Sequence, residues 1–142
     1  MFKHILIPTD GSPLADKAVD RGLHFAAEIH AQVTLLTVTQ PFHVASSWPL
    51  VGADEYAQYA EQHGRELLAP GIEIARTFGV PCEAIAIEHE QPYAAIIDVA
   101  TSQDCDLVAM ASHGRRGISA VVLGSETQKV LTHSRIPVLV LR

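Results

Sequence analysis

The sequence predicts an α/β domain in three layers, a parallel sheet between two layers of helix. Short β-branched apolar runs alternate along the chain with longer segments of helical period. The turns between them are short, so consecutive strands are joined by right-handed crossovers. The runs Ile5–Ile7 and Val138–Leu141 show no polar alternation, as expected of strands covered on both faces.

In chain order, the first strand is His4–Pro8 (HILIP). Ser12 and Pro13 then suit the N-cap and first position of a helix. Leu14, Ala18, Gly22, Phe25 and Ile29 recur every three or four residues as its apolar stripe. Val33–Val38 (VTLLTV) is the second strand. Thr39–Ala53 is the long irregular stretch, of a length usually functional or mobile in a compact domain. A second helix runs from about Asp54 to Thr77 and is closed by Gly79 and Pro81. Pro70-Gly71 predicts a kink or break within it, since proline lacks an N–H and clashes with the preceding turn. Cys82–Ile87 (CEAIAI) is a third strand, polar enough for an edge. Tyr93–Ser102 is a helix behind Pro92, Leu107–Ala111 (LVAMA) the fourth strand, Ser125–His133 the last helix, and Pro137–Leu141 (PVLVL) the fifth strand.

With 142 residues the chain fits one domain, residues 1–142, large enough to bury a core unaided. Hydrophobic residues at 48% and charged residues at 18% exclude a disordered chain. A formal charge of −6, from 10 Lys+Arg and 16 Asp+Glu, argues against a non-specific nucleic-acid surface. No apolar run reaches the ~20 residues that span a bilayer, and the N-terminus does not read as a signal peptide. Cys82 and Cys105 sit alone, as in a reducing compartment. The expectation is a cytoplasmic domain with no membrane or nucleic-acid partner.

Open α/β sheets bind ligands beyond the carboxyl ends of their strands. Two segments lie there: Pro8-Thr9-Asp10-Gly11-Ser12, and Ser112-His113-Gly114-Arg115-Arg116-Gly117 continuing to Gly124-Ser125-Glu126. The glycines would admit an anion to the backbone, and the N–H groups of Ser125 and Glu126 would point from a helix N-terminus. Arg115 and Arg116 would add local positive charge, and His113 is placed to meet a phosphate or act as an acid. The same residues also fit a plain reading: tight turns at Gly114 and Gly117, an ordinary N-cap at Gly124-Ser125, His113 filling a turn, and solvated arginines. The segment is neither a Walker A loop nor GxGxxG.

The opening HILIPTDGS, the tract MASHGRRGISAVVLGSETQKVL and the ending SRIPVLVLR resemble the universal stress protein family, in order and over essentially the whole chain. Its ATP-binding members carry G-x2-G-x9-G-[ST]. Here that frame falls on Ala111, Gly114, Gly124 and Ser125, with spacing kept and alanine at the first glycine. If position 111 needed φ > 0, its Cβ would cost roughly 1–2 kcal/mol, or about tenfold in affinity.

The resemblance implies an open, twisted, Rossmann-like sheet ordered 3-2-1-4-5, akin to the adenine nucleotide alpha-hydrolase fold. It implies ATP at the ends of the first and fourth strands, with Mg2+ or Mn2+ accompanying the nucleotide. Pro8, Thr9 and Asp10 would line the adenosine, and Val38 would offer backbone groups to the base. Gly114, Gly124, Ser125 and Glu126 would hold phosphates through N–H groups, the Glu126 carboxylate turning to solvent or a divalent ion. Asp10 equally suits an Asx-turn capping the first helix. The function implied is a stress-response regulator that hydrolyses ATP slowly if at all; the alternative is a nucleotide-free dimeric interaction module on the same fold.

Other chemistries fit less well. The eight histidines are scattered, without HxxxH or a cysteine at ligand spacing. Ser112-His113 lacks the GxSxG elbow. The acidic pair and lysine of a phospho-receiver are missing around Asp10, and a hydrolase lacks an obvious general base near the phosphates. Tyr56, Tyr59, Ala60 and His63 share a helix face suited to packing, and Trp48 is the aromatic best placed for a ligand. The fifth strand, an edge in the implied order, has no interior charge and invites a partner. The expectation is a homodimer by antiparallel pairing of Val138–Leu141 about a two-fold axis, which Leu139→Pro would disrupt, with further association through the helices.

Overall fold

The computed structural model describes residues 1–42, 52–114 and 122–142. The strands are β1 (His4–Pro8), β2 (Gln32–Thr39), β3 (Cys82–Glu88), β4 (Leu107–Ala111) and β5 (Val138–Leu141). The helices are α1 (Pro13–Ile29), α2 (Ala53–Phe78), α3 (Pro92–Ser102) and α4 (Ser125–His133). The strands form one parallel sheet ordered β3-β2-β1-β4-β5, as expected. Between β1 and β4 the order reverses, and there two strand ends open onto a crevice.

Each sheet face carries its own core. Ile5, Ile7, Val33, Leu35 and Ala109 pack with Val19, Leu23 and Ala26 of α1 and Leu68 and Ala75 of α2. Leu6, Leu36, Val108 and Met110 pack with Ile96 and Ala100 of α3 and Val130 of α4. Successive residues of β1 thus feed opposite cores, which is why Ile5-Leu6-Ile7 shows no polar alternation. β3, with alternating and largely exposed residues, is indeed an edge. Among the described residues no helix is long and apolar enough to cross a membrane.

Of the kink or break expected at Pro70, the break does not occur: α2 is one helix through Pro70. Its buried residues Tyr56, Ala60, Gly64, Leu68, Gly71 and Ala75 keep a three-to-four-residue spacing across the proline without a phase shift. Burial of this continuous stripe offsets the roughly 3 kcal/mol that an interior proline costs. Gly71 is a point of close approach, since a Cβ there would stand 2.6 Å from Leu35 Cδ1. In α1 the stripe is turned by about one position from the expected one: Ala15, Ala18, Val19, Gly22, Leu23 and Ala26 are buried. Leu14, Phe25 and Ile29 flank it, half-buried.

β5 is half-buried throughout. Pro137 O and Leu141 O accept from Val108 N–H and Ser112 N–H of the β4 segment. By strand alternation the backbone groups of Leu139 also face β4, while those of Val138 and Val140 face the open edge. Leu139→Pro would therefore break the β4–β5 ladder inside the sheet and would not selectively remove an edge donor.

Candidate functional site

The turn after β1 is held by its own side chains. Thr9 N–H donates to Leu36 O at 2.8 Å, and Gly11 N–H donates to Thr9 Oγ1 at 3.2 Å. Gly11 sits at φ 75°, in the left-handed region that glycine enters without strain. Asp10 Oδ1 accepts from Ser12 N–H at 2.9 Å, the expected Asx-turn, and Ser12 Oγ caps α1 by accepting from Ala15 N–H at 3.2 Å. This leaves the other carboxylate oxygen of Asp10 toward the turn after β4. A Cβ on Gly114 would stand 2.5 Å from its Oδ2, so the turns after β1 and β4 meet here and a side chain at 114 would displace that carboxylate.

On the β4 side, α4 is bolted to the strand end. Gly124 N–H donates to Ser112 O at 2.7 Å, and Thr127 Oγ1 donates to Ala111 O at 2.9 Å. A Cβ on Gly124 would meet Ser112 O at 3.1 Å and His113 Cα at 3.2 Å, backbone atoms with little room to move. Gly124 is the N-cap of α4 and supplies no side-chain cap. The first bond within the helix runs from Gln128 N–H to Gly124 O. The N–H groups of Ser125, Glu126 and Thr127 therefore lie in the turn that lacks internal acceptors, at the positive end of the helix dipole.

Ala111 is a regular β4 residue, and the non-glycine residues with positive φ among those described are His30 and Asp104. The conformational penalty considered for an alanine at this position therefore does not arise. β2 outruns β1: Pro8 pairs with Leu36, and β2 continues to Thr39. Because Leu36 O faces the β1 side, alternation turns the Val38 backbone groups to that side too, past the end of β1.

Glu126 departs from expectation. Its carboxylate, still partly exposed, is engaged by two protein donors. Oε2 accepts from Tyr93 N–H at 2.9 Å in the first turn of α3, and Oε1 from Lys129 Nζ at 3.2 Å. Its negative charge is thereby drawn away from the N–H groups of its own helix. His113 is 7% exposed. Its Nδ1 lies 3.0 Å from Ser112 Oγ, and its Nε2 is buried with no hydrogen-bond partner.

Pro8, Thr9, Asp10, Ala111, His113, Gly114, Gly124, Ser125 and Glu126 thus gather at the ends of β1 and β4, with Val38 on the β2 side. Arg115 and Trp48, singled out in the sequence, lie outside the described residues. Thr127, which ties α4 to β4, carried no sequence signal, and Ser112, partner of the imidazole, was legible only as part of its segment. Both are buried hydroxyls whose partners come from the fold. Tyr56 packs as expected: it is buried, its hydroxyl donates to Gln40 O, and burial, then Glu88 and Tyr59, push its phenol upward. No group of three or more His, Cys, Asp or Glu among the described residues could hold a metal ion.

An open parallel sheet whose strand order reverses between β1 and β4 is the class of protein this geometry defines. A sequence profile of the universal stress protein family matches residues 1–142, and the chain belongs to that family. It is 31% identical over 150 residues to the universal stress protein YxiE of Bacillus subtilis, covering 100% of both chains. Among solved structures it resembles the universal stress protein UspA of Lactobacillus plantarum (TM-score 0.82, 24% identity, 99% of this chain and 98% of that one). It also shares its fold with a universal stress protein in complex with cAMP (TM-score 0.73, 23% identity, 99% and 97% coverage). Another with the same fold is the Archaeoglobus fulgidus protein in complex with dAMP (TM-score 0.68, 16% identity, 100% and 98% coverage).

Proposed function

We propose that this protein binds an adenine nucleotide, ATP in its working state, in the crevice between the ends of β1 and β4, and acts as a stress-response regulator. The observation that carries this reading is the start of α4. A helix N-terminus without a side-chain cap stands at the switch point, held to β4 by a glycine at van der Waals distance from Ser112 and His113. Such an end presents N–H donors and a positive potential to an anion. The base and ribose would lie toward Pro8, Thr9, Asp10 and the Val38 backbone, the phosphates toward Gly114, Gly124, Ser125 and the Glu126 N–H. Ala111 would line the floor between, and Arg115 would contribute positive charge. The complexes of two relatives with cAMP and dAMP support the ligand class. A divalent ion, Mg2+ or Mn2+, would travel with the phosphates, since Glu126 is committed to Tyr93 and Lys129.

Regulation by occupancy, with hydrolysis slow or absent, accords with this site, where binding groups outnumber groups able to activate water. The half-buried apolar edge at Val138–Leu141 supports a homodimer in a cytoplasmic setting. The test is mass spectrometry of the purified protein after denaturation, looking for stoichiometric ATP, ADP or AMP, paired with thermal melting in ATP and Mg2+. Ligand that binds only the native state raises stability by RT ln(1 + [L]/Kd). Gly124→Val should abolish that rise, because a side chain there meets Ser112 O and His113 Cα and displaces the cap of α4. A protein that carries no nucleotide and does not respond to millimolar ATP refutes the reading and leaves the nucleotide-free dimeric module.

A further inference from the structure

We propose that His113 donates its Nε2–H to a phosphate oxygen of the bound ligand, and that this bond makes the site select phosphorylated adenine compounds over adenosine. The inference rests on the reading of the crevice as an adenine-nucleotide site.

Buried polar atoms are almost always paired. Among the described residues, His113 Nε2 is the buried side-chain nitrogen or oxygen without a partner. The tautomer follows from its neighbour. Ser112 Oγ is buried, and its one side-chain hydrogen bond among the described residues is to His113 Nδ1 at 3.0 Å. If the hydroxyl donates to Nδ1, one group is left over, a proton on Nε2. If Nδ1–H donates to the hydroxyl instead, two are left over, the hydroxyl proton and the Nε2 lone pair. The first arrangement satisfies more of the network, and assignment by network is how a histidine tautomer is fixed. The ring then carries its proton on the buried Nε2.

The surroundings say which acceptor. His113 adjoins the cap of α4, where a Gly124 Cβ would meet its Cα at 3.2 Å. There the donors Ser125 N–H, Glu126 N–H and Thr127 N–H already lack internal acceptors. A buried donor on the residue that abuts this cap calls for a ligand rich in acceptors, as a phosphate is. The nearby carboxylates are engaged elsewhere: Asp10 accepts from Ser12 N–H, and Glu126 accepts from Tyr93 N–H and Lys129.

The test is calorimetry of adenosine, AMP and ATP binding to the wild type, His113→Gln and His113→Phe, together with the imidazole 15N and 1H resonances of His113. The wild type should bind AMP and ATP more tightly than adenosine. His113→Phe should lose about tenfold or more for AMP, as expected of a hydrogen bond to a charged group, and change adenosine affinity less than about twofold. His113→Gln, whose amide places a donor near the Nε2 position, should retain AMP affinity within about threefold. The wild-type ring should carry its proton on Nε2 and shift with AMP but not with adenosine. Equal losses for adenosine and AMP, no loss in the phenylalanine variant, or a ring resonance unmoved by AMP would each overturn the proposal. The resonance alone decides if the phenylalanine variant does not fold. Wild-type binding that Gly124→Val abolishes and His113→Phe spares would remove the imidazole's role alone. A wild type that binds none of the three ligands removes the nucleotide reading itself.

Discussion

Glu126 Oε2 accepts the backbone N–H of Tyr93 at 2.9 Å, so the first turn of α4 caps the first turn of α3. The N-cap of α3, Gln91, supplies no side-chain bond of its own. Tyr93 N–H is one of the donors that a helix start leaves without an internal acceptor, and a side chain from another helix satisfies it. Lys129 bridges the pair, with its Nζ on Glu126 Oε1 and 5.5 Å from the Tyr93 ring centroid.

Replacing Glu126 by alanine should therefore lower stability by about 0.5–2 kcal/mol, the usual cost of a lost N-cap. Glu126→Gln keeps an acceptor oxygen and should recover most of it. Neither change should alter the divalent-ion dependence of nucleotide binding. Urea unfolding reads the first effect and calorimetry in Mg2+ the second; a changed Mg2+ dependence would return the carboxylate to the ligand.

Ala111→Gly should not repair the nucleotide motif. The strand backbone at 111 is regular, so glycine brings no conformational relief there. Affinity should stay within about threefold, while stability falls by roughly 0.5–1 kcal/mol, as for glycine placed within a strand. A tenfold gain in affinity would show that the alanine methyl itself blocks the ligand.

At the sheet edge the two proline variants should part company. Val140→Pro removes an N–H that faces outward, so sedimentation equilibrium should show monomers that still fold. Leu139→Pro removes an N–H turned toward β4 and should lower the melting temperature as well. A Val140→Pro variant that remains as dimeric as the wild type would move the interface away from β5.

Burial, and then the charge of Asp106, push the Cys105 thiol up to about 11 from 9.0. Across that interval the unfolded chain has released a proton that the folded chain keeps. It therefore binds fewer protons, and stability declines as pH rises from about 9 to 11. Denaturant midpoints should fall over this range, and less steeply in Cys105→Ala. A thiol reagent at pH 8 should modify half-buried Cys82 before buried Cys105.

What could be read from the sequence follows the range of the forces involved. The strand cores, the Ser12-Pro13 start of α1 and the glycine that closes α2 are local, and each is found where expected. Pro70 does not end α2 because a local rule was set against a burial stripe, and the stripe was stronger. The α1 stripe was turned by one position because Leu14, Phe25 and Ile29 are larger than Ala15 and Ala26. Which face is covered was decided by how closely the helix approaches Ile7, near which Gly22 leaves no room for a Cβ. At the site, Asp10 was readable because its turn is made of neighbours. Glu126 was not: its partner Tyr93 lies 33 residues away, and only the fold brings the two helix starts together.

Ser112 is bonded in three directions. Its N–H donates to Leu141 O, its C=O accepts from Gly124 N–H, and its Oγ meets the His113 imidazole. One residue is thus shared by the outermost strand, the cap of α4 and the His113 ring. A displacement of the cap is passed through this residue to the bond with Leu141. The chain has in effect a common hinge pin rather than two separate mountings. Where a ligand at one end and a second subunit at the other both load that pin, thermodynamics requires each to alter the other's affinity by the same factor.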